Sequence, residues 1–248
     1  MVEKVFEVPK DWVTFATQYK RESIGTAEIT TKQYKPGFYL MEGIKGYVMW
    51  HNKYTLYYTS LSIDRKQWML DDPLHWIGMQ ELAKSTSGRV LVAGLGLGLV
   101  VSQLIENPKV TEIVVVERNS DVIKLVGKYL QSPKVTIVES DFRQYVQHLL
   151  GEIYKHTMYK DTDTQISLDD VREKMFDYAI LDLWVANEKS TSQERKMIQD
   201  EMRILTGLCV GSLKDKVYIW GVNDKTFNPA FEDSEDLRML KREMMERR

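Results

Sequence analysis

Read for the spacing of its apolar and polar positions, the chain changes character near residue 80. Before that point the apolar residues fall in short runs rich in aromatic and β-branched side chains, GFYL, GYVMW and YTLYYTSLSI, punctuated by Pro36-Gly37 and Gly43. Runs of this length and composition between turn-formers predict strands, so residues 1–80 read as a small β-rich domain. The segment LHWIGMQELAKS then carries helical spacing, and Ser85 to Gly88 breaks it.

From residue 81 to 248 the pattern alternates between strand and helix. Strand VLVA (90–93) precedes helix GLVVSQLIEN, which must stop at Pro108. Strand TEIVVVE (111–117) precedes helix SDVIKLVGKYL, with Ser120 as its expected N-cap. Strand VTIV (135–138) leads to helix DFRQYVQHLL, strand FDYAILD (176–182) to a long helix between Gln193 and Leu208, and VYIWG (217–221) closes the series. Strands that alternate with helices imply an α/β fold: a Rossmann-like parallel sheet with helices on both faces. Two segments break the rhythm. Residues 151–174 read as a polar insertion whose Asp161/Asp163 pair lacks the turn glycine and distal glutamate of a calcium loop. The tail FEDSEDLRMLKREMMERR places acids early and bases late, as suits a terminal helix docked within the chain or between subunits of a homo-oligomer.

Composition narrows the partners. A formal net charge of -2 gives no global basic field, which argues against nucleic acid held by charge. A single cysteine, Cys209, forbids an internal disulfide, and with no signal-like N-terminus the expected location is cytoplasmic. The run without a polar side chain from Val90 to Val101 is 12 residues long, against roughly 20 needed to span a bilayer. The four histidines, His51, His75, His148 and His156, show no metal-ligand spacing, and no metal is expected. A small-molecule acceptor is the remaining partner class.

The chemistry gathers at VLVAGLGLGL (90–99). A strand that ends in glycines and turns into a helix brings backbone N–H groups and a helix N-terminus close to a ligand. Glu117 ends the next strand, 23 residues after Gly94, where a carboxylate accepts from both hydroxyls of a ribose. Nicotinamide dinucleotides and S-adenosylmethionine both fit so far. The dinucleotide fingerprint G-x-G-x-x-G requires glycine at 99, which is leucine. Asp141, in VESDF after the third strand, suits an adenine amino group, with Phe142 along the ring.

VLVAGLGLGL, VVVERNSDVI, VTIVESDF and FDYAILDLW together resemble the successive motifs of class I S-adenosylmethionine-dependent methyltransferases over residues 88–222, nearest in pattern to the spermidine synthase-like branch. The resemblance implies that Gly94, Leu95, Gly96 and Gly98 line the cofactor, that Glu117 beside Arg118 holds its ribose, that Asp141 and Phe142 meet the adenine, and that Asp182 faces the reacting centre as general base. Candidates on the acceptor side are Gln67, from the resemblance, His75, which lies just ahead of the alternating region, and Trp184, which is either pocket wall or core. Asp64-x-x-Gln67 followed by Asp71-Asp72 is similar to that branch's D-G-x-x-Q…D-E, without its glycine. Leu97 stands where aminopropyltransferases place an aspartate, and Asp182-Leu183-Trp184 replaces their pair of acids with proline. The leading expectation is methyl transfer from S-adenosylmethionine to a small molecule. The alternatives are aminopropyl transfer from decarboxylated S-adenosylmethionine, and a cofactor-binding or assembly subunit without chemistry. The aromatic residues Trp50, Tyr54, Tyr57, Tyr58, Trp68 and Trp76 are either an acceptor wall or the core of the small sheet.

Overall fold

The aromatic runs of the N-terminal part form two small sheets. The computed structural model describes residues 6–43, 46–158, 175–183, 191–210 and 213–219. Strands β1 (Phe6–Val8), β4 (Gly37–Gly43) and β5 (Gly46–Asn52) pair in the order β1-β5-β4, while β2 (Glu22–Ile24), β3 (Ala27–Tyr34), β6 (Leu56–Ile63) and β7 (Lys66–Leu70) make an antiparallel sheet in the order β2-β3-β6-β7. The two-residue turn from β6 to β7 is Asp64-Arg65, both with positive φ (50° and 65°), the backbone that a tight hairpin demands.

Helix α1 (Pro73–Lys84) follows. Buried Asp72 caps it and Pro73 opens it, a residue whose missing N–H costs nothing in the first turn. The expected domain boundary at residue 80 therefore falls inside a helix. Beyond α1 come β8 (Gly88–Ala93), α2 (Leu99–Glu106), β9 (Val110–Glu117), α3 (Ser120–Val126), β10 (Val135–Glu139), α4 (Phe142–Met158), β11 (Phe176–Leu181), α5 (Ser192–Val210) and β12 (Leu213–Ile219). The five strands are parallel in the order β10-β9-β8-β11-β12. This is a Rossmann-like sheet: the order runs outward one way from β8 and the other way from β11, and the crevice between those two strands is the switch point at which such sheets bind ligands.

The central strands read as unbroken apolar runs because both faces are covered. Val90, Val92, Ile113, Val115 and Ile180 pack on one side with α2 and α3; Leu91, Ala93, Val116, Ala179 and Leu181 pack on the other with Phe142, Val146 and Leu205. The first of these cores also contains Ala16, Tyr19, Ala27, Ile29 and Leu61 from the N-terminal part, so the two regions share one apolar interior. A separate cluster of Val8, Trp50, Leu56, Tyr58 and Leu70 holds the small sheets together.

Some boundaries differ from the sequence reading. Asn119, not Ser120, caps α3: its side chain accepts from the N–H groups of Asp121 (2.9 Å) and Val122 (3.2 Å). Helix α4 continues through 151–158, where a polar insertion was expected, because nothing in GEIYKHTM breaks a helix. Strand β12 begins at Leu213, earlier than 217. The expected terminal helix and the Asp161/Asp163 segment lie outside the described residues.

Candidate functional site

At the carboxyl end of β8 the backbone is left-handed three times, at Gly94 (φ 86°), Gly96 (φ 50°) and Gly98 (φ 67°), a geometry that alternating glycines supply without strain. Each also allows a close approach. A Cβ at Gly94 would lie 2.8 Å from the carbonyl oxygen of Asp182, and one at Gly98 would lie 2.7 Å from Leu130 Cδ1. A Cβ at Gly96 would meet the Met69 sulfur at 2.8 Å, and the Leu97 N–H donates to that sulfur at 3.2 Å. On the core side the Tyr19 hydroxyl donates to the Leu97 carbonyl at 2.7 Å. The N-terminal part thus grips the loop from two directions, through residues that the sequence reading did not select.

Glu117 ties the loop to the neighbouring strand. Its Oε2 accepts the Leu95 N–H at 2.9 Å and its Oε1 accepts the Asn119 N–H at 2.8 Å. These bonds fix the carboxylate while leaving further acceptor capacity on both oxygens, since each carries two lone pairs. The side chain is half-buried at the carboxyl end of β9. Asp141, exposed at the end of β10, accepts the Gln144 N–H with Oδ1 (3.1 Å) and so caps α4. The Phe142 ring is buried with Leu91, Val116 and Val146, so it packs beneath the sheet edge and does not line an open face. Leu95 is buried in the core, and Arg118 is exposed beside Glu117.

Across the switch point, Asp182 follows β11, held by its N–H to the Ala93 carbonyl (3.2 Å). Burial pushes its carboxyl up to about 6, and the charge of His75 pulls against that rise. His75 lies in the first turn of α1. Its Nδ1 is 2.9 Å from Asp72 Oδ2, and its backbone N–H donates to Asp72 Oδ1 at 3.1 Å. Burial depresses the imidazole, but the charges of Asp72, Asp182 and Asp71 together with the Asp72 hydrogen bond outweigh it, and the net direction is up. Asp71 is itself buried and raised to about 6 by desolvation, against hydrogen bonds from the Thr14 hydroxyl and the Thr59 N–H. One imidazole thus stands in the field of three carboxylates, two from the start of α1 and one from the end of β11.

The structure therefore brings together the glycine loop, Glu117, Asp182 and His75 at one edge of the sheet. It leaves Gln67 exposed near the β6–β7 turn, and Trp184 lies outside the described residues. The aromatic residues divide: Trp50 and Tyr58 are core, Tyr54 and Tyr57 are exposed, and Trp76 packs on the shared interior. The sequence reading passed over Met69 and Tyr19, and noted Asp71 and Asp72 only as an acidic pair. Asp72 had a local signal, an acid before Pro with a histidine three residues on, which is an N-cap spacing that also brings two side chains together. Among the described residues no group of three or more His, Cys, Asp and Glu is placed to hold a metal ion, and no helix is long and apolar enough to cross a membrane.

No protein-family model matches the sequence. No curated protein matches it either. Among solved structures the chain is similar to a spermidine synthase from Thermotoga maritima, with 13% identity and a TM-score of 0.39 over 74% of this chain and 62% of that one. A spermidine synthase in complex with the transition state analogue AdoDATO gives 14% identity and a TM-score of 0.38 over 74% and 62%. A methyltransferase acting on an amino pentose, from Micromonospora echinaspora with S-adenosylmethionine bound, gives 16% identity and a TM-score of 0.30 over 54% and 42%. The chain thus spans about 62% of the length of the two spermidine synthases. These superpositions are partial, and the α/β Rossmann-like class rests on the strand order of the sheet itself.

Proposed function

We propose that the chain is an S-adenosylmethionine-dependent transferase that moves a methyl group to a small-molecule acceptor bearing an N–H or O–H. The observation that supports this most is the pairing, at one switch point, of a glycine loop pinned by Glu117 with a desolvated carboxyl group, Asp182, whose main chain touches that loop. When bound, S-adenosylmethionine supplies an electrophilic carbon that already carries its leaving group, so the protein's task is to bind, align and exclude water.

In this reading Glu117 accepts from the ribose hydroxyls, Asp141 accepts from the adenine amino group, and the loop of Gly94, Leu95, Gly96 and Gly98 lies against the amino-acid side. Asp182 and His75 face the acceptor. Aminopropyl transfer is the second reading. The Leu97 side chain is fully buried and its N–H is turned to Met69, so the position that resembles the aminopropyltransferase aspartate offers no charge to a polyamine, which favours methyl transfer.

Calorimetry with S-adenosylmethionine, its decarboxylated form and S-adenosylhomocysteine tests the reading. S-adenosylmethionine is expected to bind at least about tenfold tighter than the decarboxylated donor, and Glu117→Ala to weaken it by at least about tenfold, or 1.4 kcal/mol. Absence of binding by both S-adenosylmethionine and S-adenosylhomocysteine would overturn it, and a preference for the decarboxylated donor would move the assignment to aminopropyl transfer.

A further inference from the structure

We infer that Met69 is a positioning residue of the donor site: it locks the glycine loop in a shape that leaves a ligand one main-chain N–H, that of Gly96. The inference rests on the transferase reading above for the ligand, and on the β6–β7 hairpin for everything else. A register shift in that hairpin delivers the side chain. Ile63 pairs with Lys66 and Ser62 with Gln67, but Leu61 pairs with Met69, so Trp68 is an extra residue in β7. A regular ladder would set Trp68 opposite Leu61 and Met69 opposite Ser60. Successive side chains of a strand alternate between faces, so the bulge moves Met69 from the face of Ser60 to that of Leu61. Leu61 packs in the shared interior with Leu97 and Leu99, and Met69 packs against that interior beside it.

There the side chain acts on the loop twice. Its sulfur accepts the Leu97 N–H at 3.2 Å, and a Cβ at Gly96 would lie 2.8 Å from that sulfur and 3.0 Å from Met69 Cε. Most of the remaining N–H groups of the loop are also taken within the protein. That of Gly94 donates to the Val116 carbonyl (2.9 Å), that of Leu95 to Glu117 Oε2 (2.9 Å) and that of Gly98 to the Leu95 carbonyl (2.7 Å). Among the described residues the Gly96 N–H has no acceptor, and Gly96 is partly exposed whereas Leu95, Leu97 and Gly98 are buried. Gly96 is thus the position at which the loop can still donate to a ligand. Without the Met69 sulfur the Leu97 N–H would be a second unpaired donor, in a buried residue, and the loop would have to turn to satisfy it.

The test is a 1H–15N correlation spectrum of the full chain with the Gly96 and Leu97 amides assigned, recorded without ligand and at saturation with S-adenosylhomocysteine. Binding is expected to shift the Gly96 amide proton by more than that of Leu97, which keeps its sulfur acceptor. Met69→Leu conserves volume and removes the acceptor. It is expected to move the Leu97 amide in the unliganded protein and to weaken S-adenosylhomocysteine at least about fivefold by calorimetry. Met69→Gln returns an acceptor, the side-chain carbonyl, and should bring binding back to within about twofold of the wild type. A Met69 that only fills space predicts the opposite order, with Met69→Leu the better binder, and that order would overturn the inference. So would a Met69→Leu protein that binds as tightly as the wild type or whose Leu97 amide does not move; each of these outcomes leaves the transferase reading intact. Binding by the wild type with the Gly96 amide unmoved would overturn the assignment of that N–H. Failure of the wild type to bind either S-adenosylhomocysteine or S-adenosylmethionine would remove the transferase reading and this inference with it.

Discussion

Asp182 carries the clearest consequence of the site's electrostatics for stability. Its carboxyl is raised to about 6 by burial, whereas an unfolded aspartate releases its proton near about 4. Between those values the folded chain binds more protons than the unfolded one, so stability falls as pH rises through the window, and the full cost is present above about pH 6. Asp182→Asn removes the titration while keeping the shape. It is expected to stabilise the fold by about 2–3 kcal/mol at pH 8, with the gain vanishing as pH falls to about 4. Urea unfolding of both proteins at the two ends of that range measures it, and an equal gain at both ends would show that charge burial is not the cause. The sequence already marked Asp182, Glu117 and the three glycines, because each stands at a strand end where the apolar run stops. It did not mark the His75–Asp72 pair as a unit, and it could not mark Met69 or Tyr19, whose contacts with Leu97 cross from one region of the chain to another.

At the scale of elements, the hairpin of β6 and β7 shows where the chain departs from its own local preferences. Asp64 and Arg65 both have positive φ, and arginine pays a steric penalty there that glycine does not. Arg65→Gly is expected to stabilise the fold by about 0.5–1 kcal/mol, the relief of a left-handed side chain less the extra freedom glycine gives the unfolded state. A thermal melt that moves down would mean that the Arg65 side chain contributes more than its backbone costs. The central strands were legible because parallel strands covered on both faces read as continuous apolar runs, as β8 does, whereas β12 opens on Leu-Lys-Asp-Lys and its start was placed too late. Helix ends were less so. Asn119 and Ser120 are both good capping residues, and Glu117 decides between them by taking the Asn119 N–H, a contact that periodicity does not encode.

At the scale of the molecule, the regions that meet near residue 80 share one apolar interior. Tyr19 stands at the seam: it is buried, its ring centroid lies 4.4 Å from that of Tyr129, and its hydroxyl is the donor to the Leu97 carbonyl inside the glycine loop. Spacing along the chain predicted the seam as a boundary because the change from aromatic strands to alternating strand and helix is real, whereas the packing of Ile29 and Leu61 against Val90 and Leu99 appears only in three dimensions. Four of the six tryptophans, Trp12, Trp50, Trp68 and Trp76, precede residue 80, and most of the helix follows it, so near-ultraviolet and far-ultraviolet circular dichroism report largely on different regions. A shared core requires the two signals to unfold together in one transition. Tyr19→Phe keeps the ring but leaves the Leu97 carbonyl without this donor in a buried setting, and is expected to cost about 1–2 kcal/mol. Both signals should move to lower denaturant by the same amount, because the lost bond belongs to the interface and not to either side. If only the near-ultraviolet transition moved, the N-terminal sheets would be an independently folding attachment, and the grip of Tyr19 and Met69 could no longer set the shape of the glycine loop.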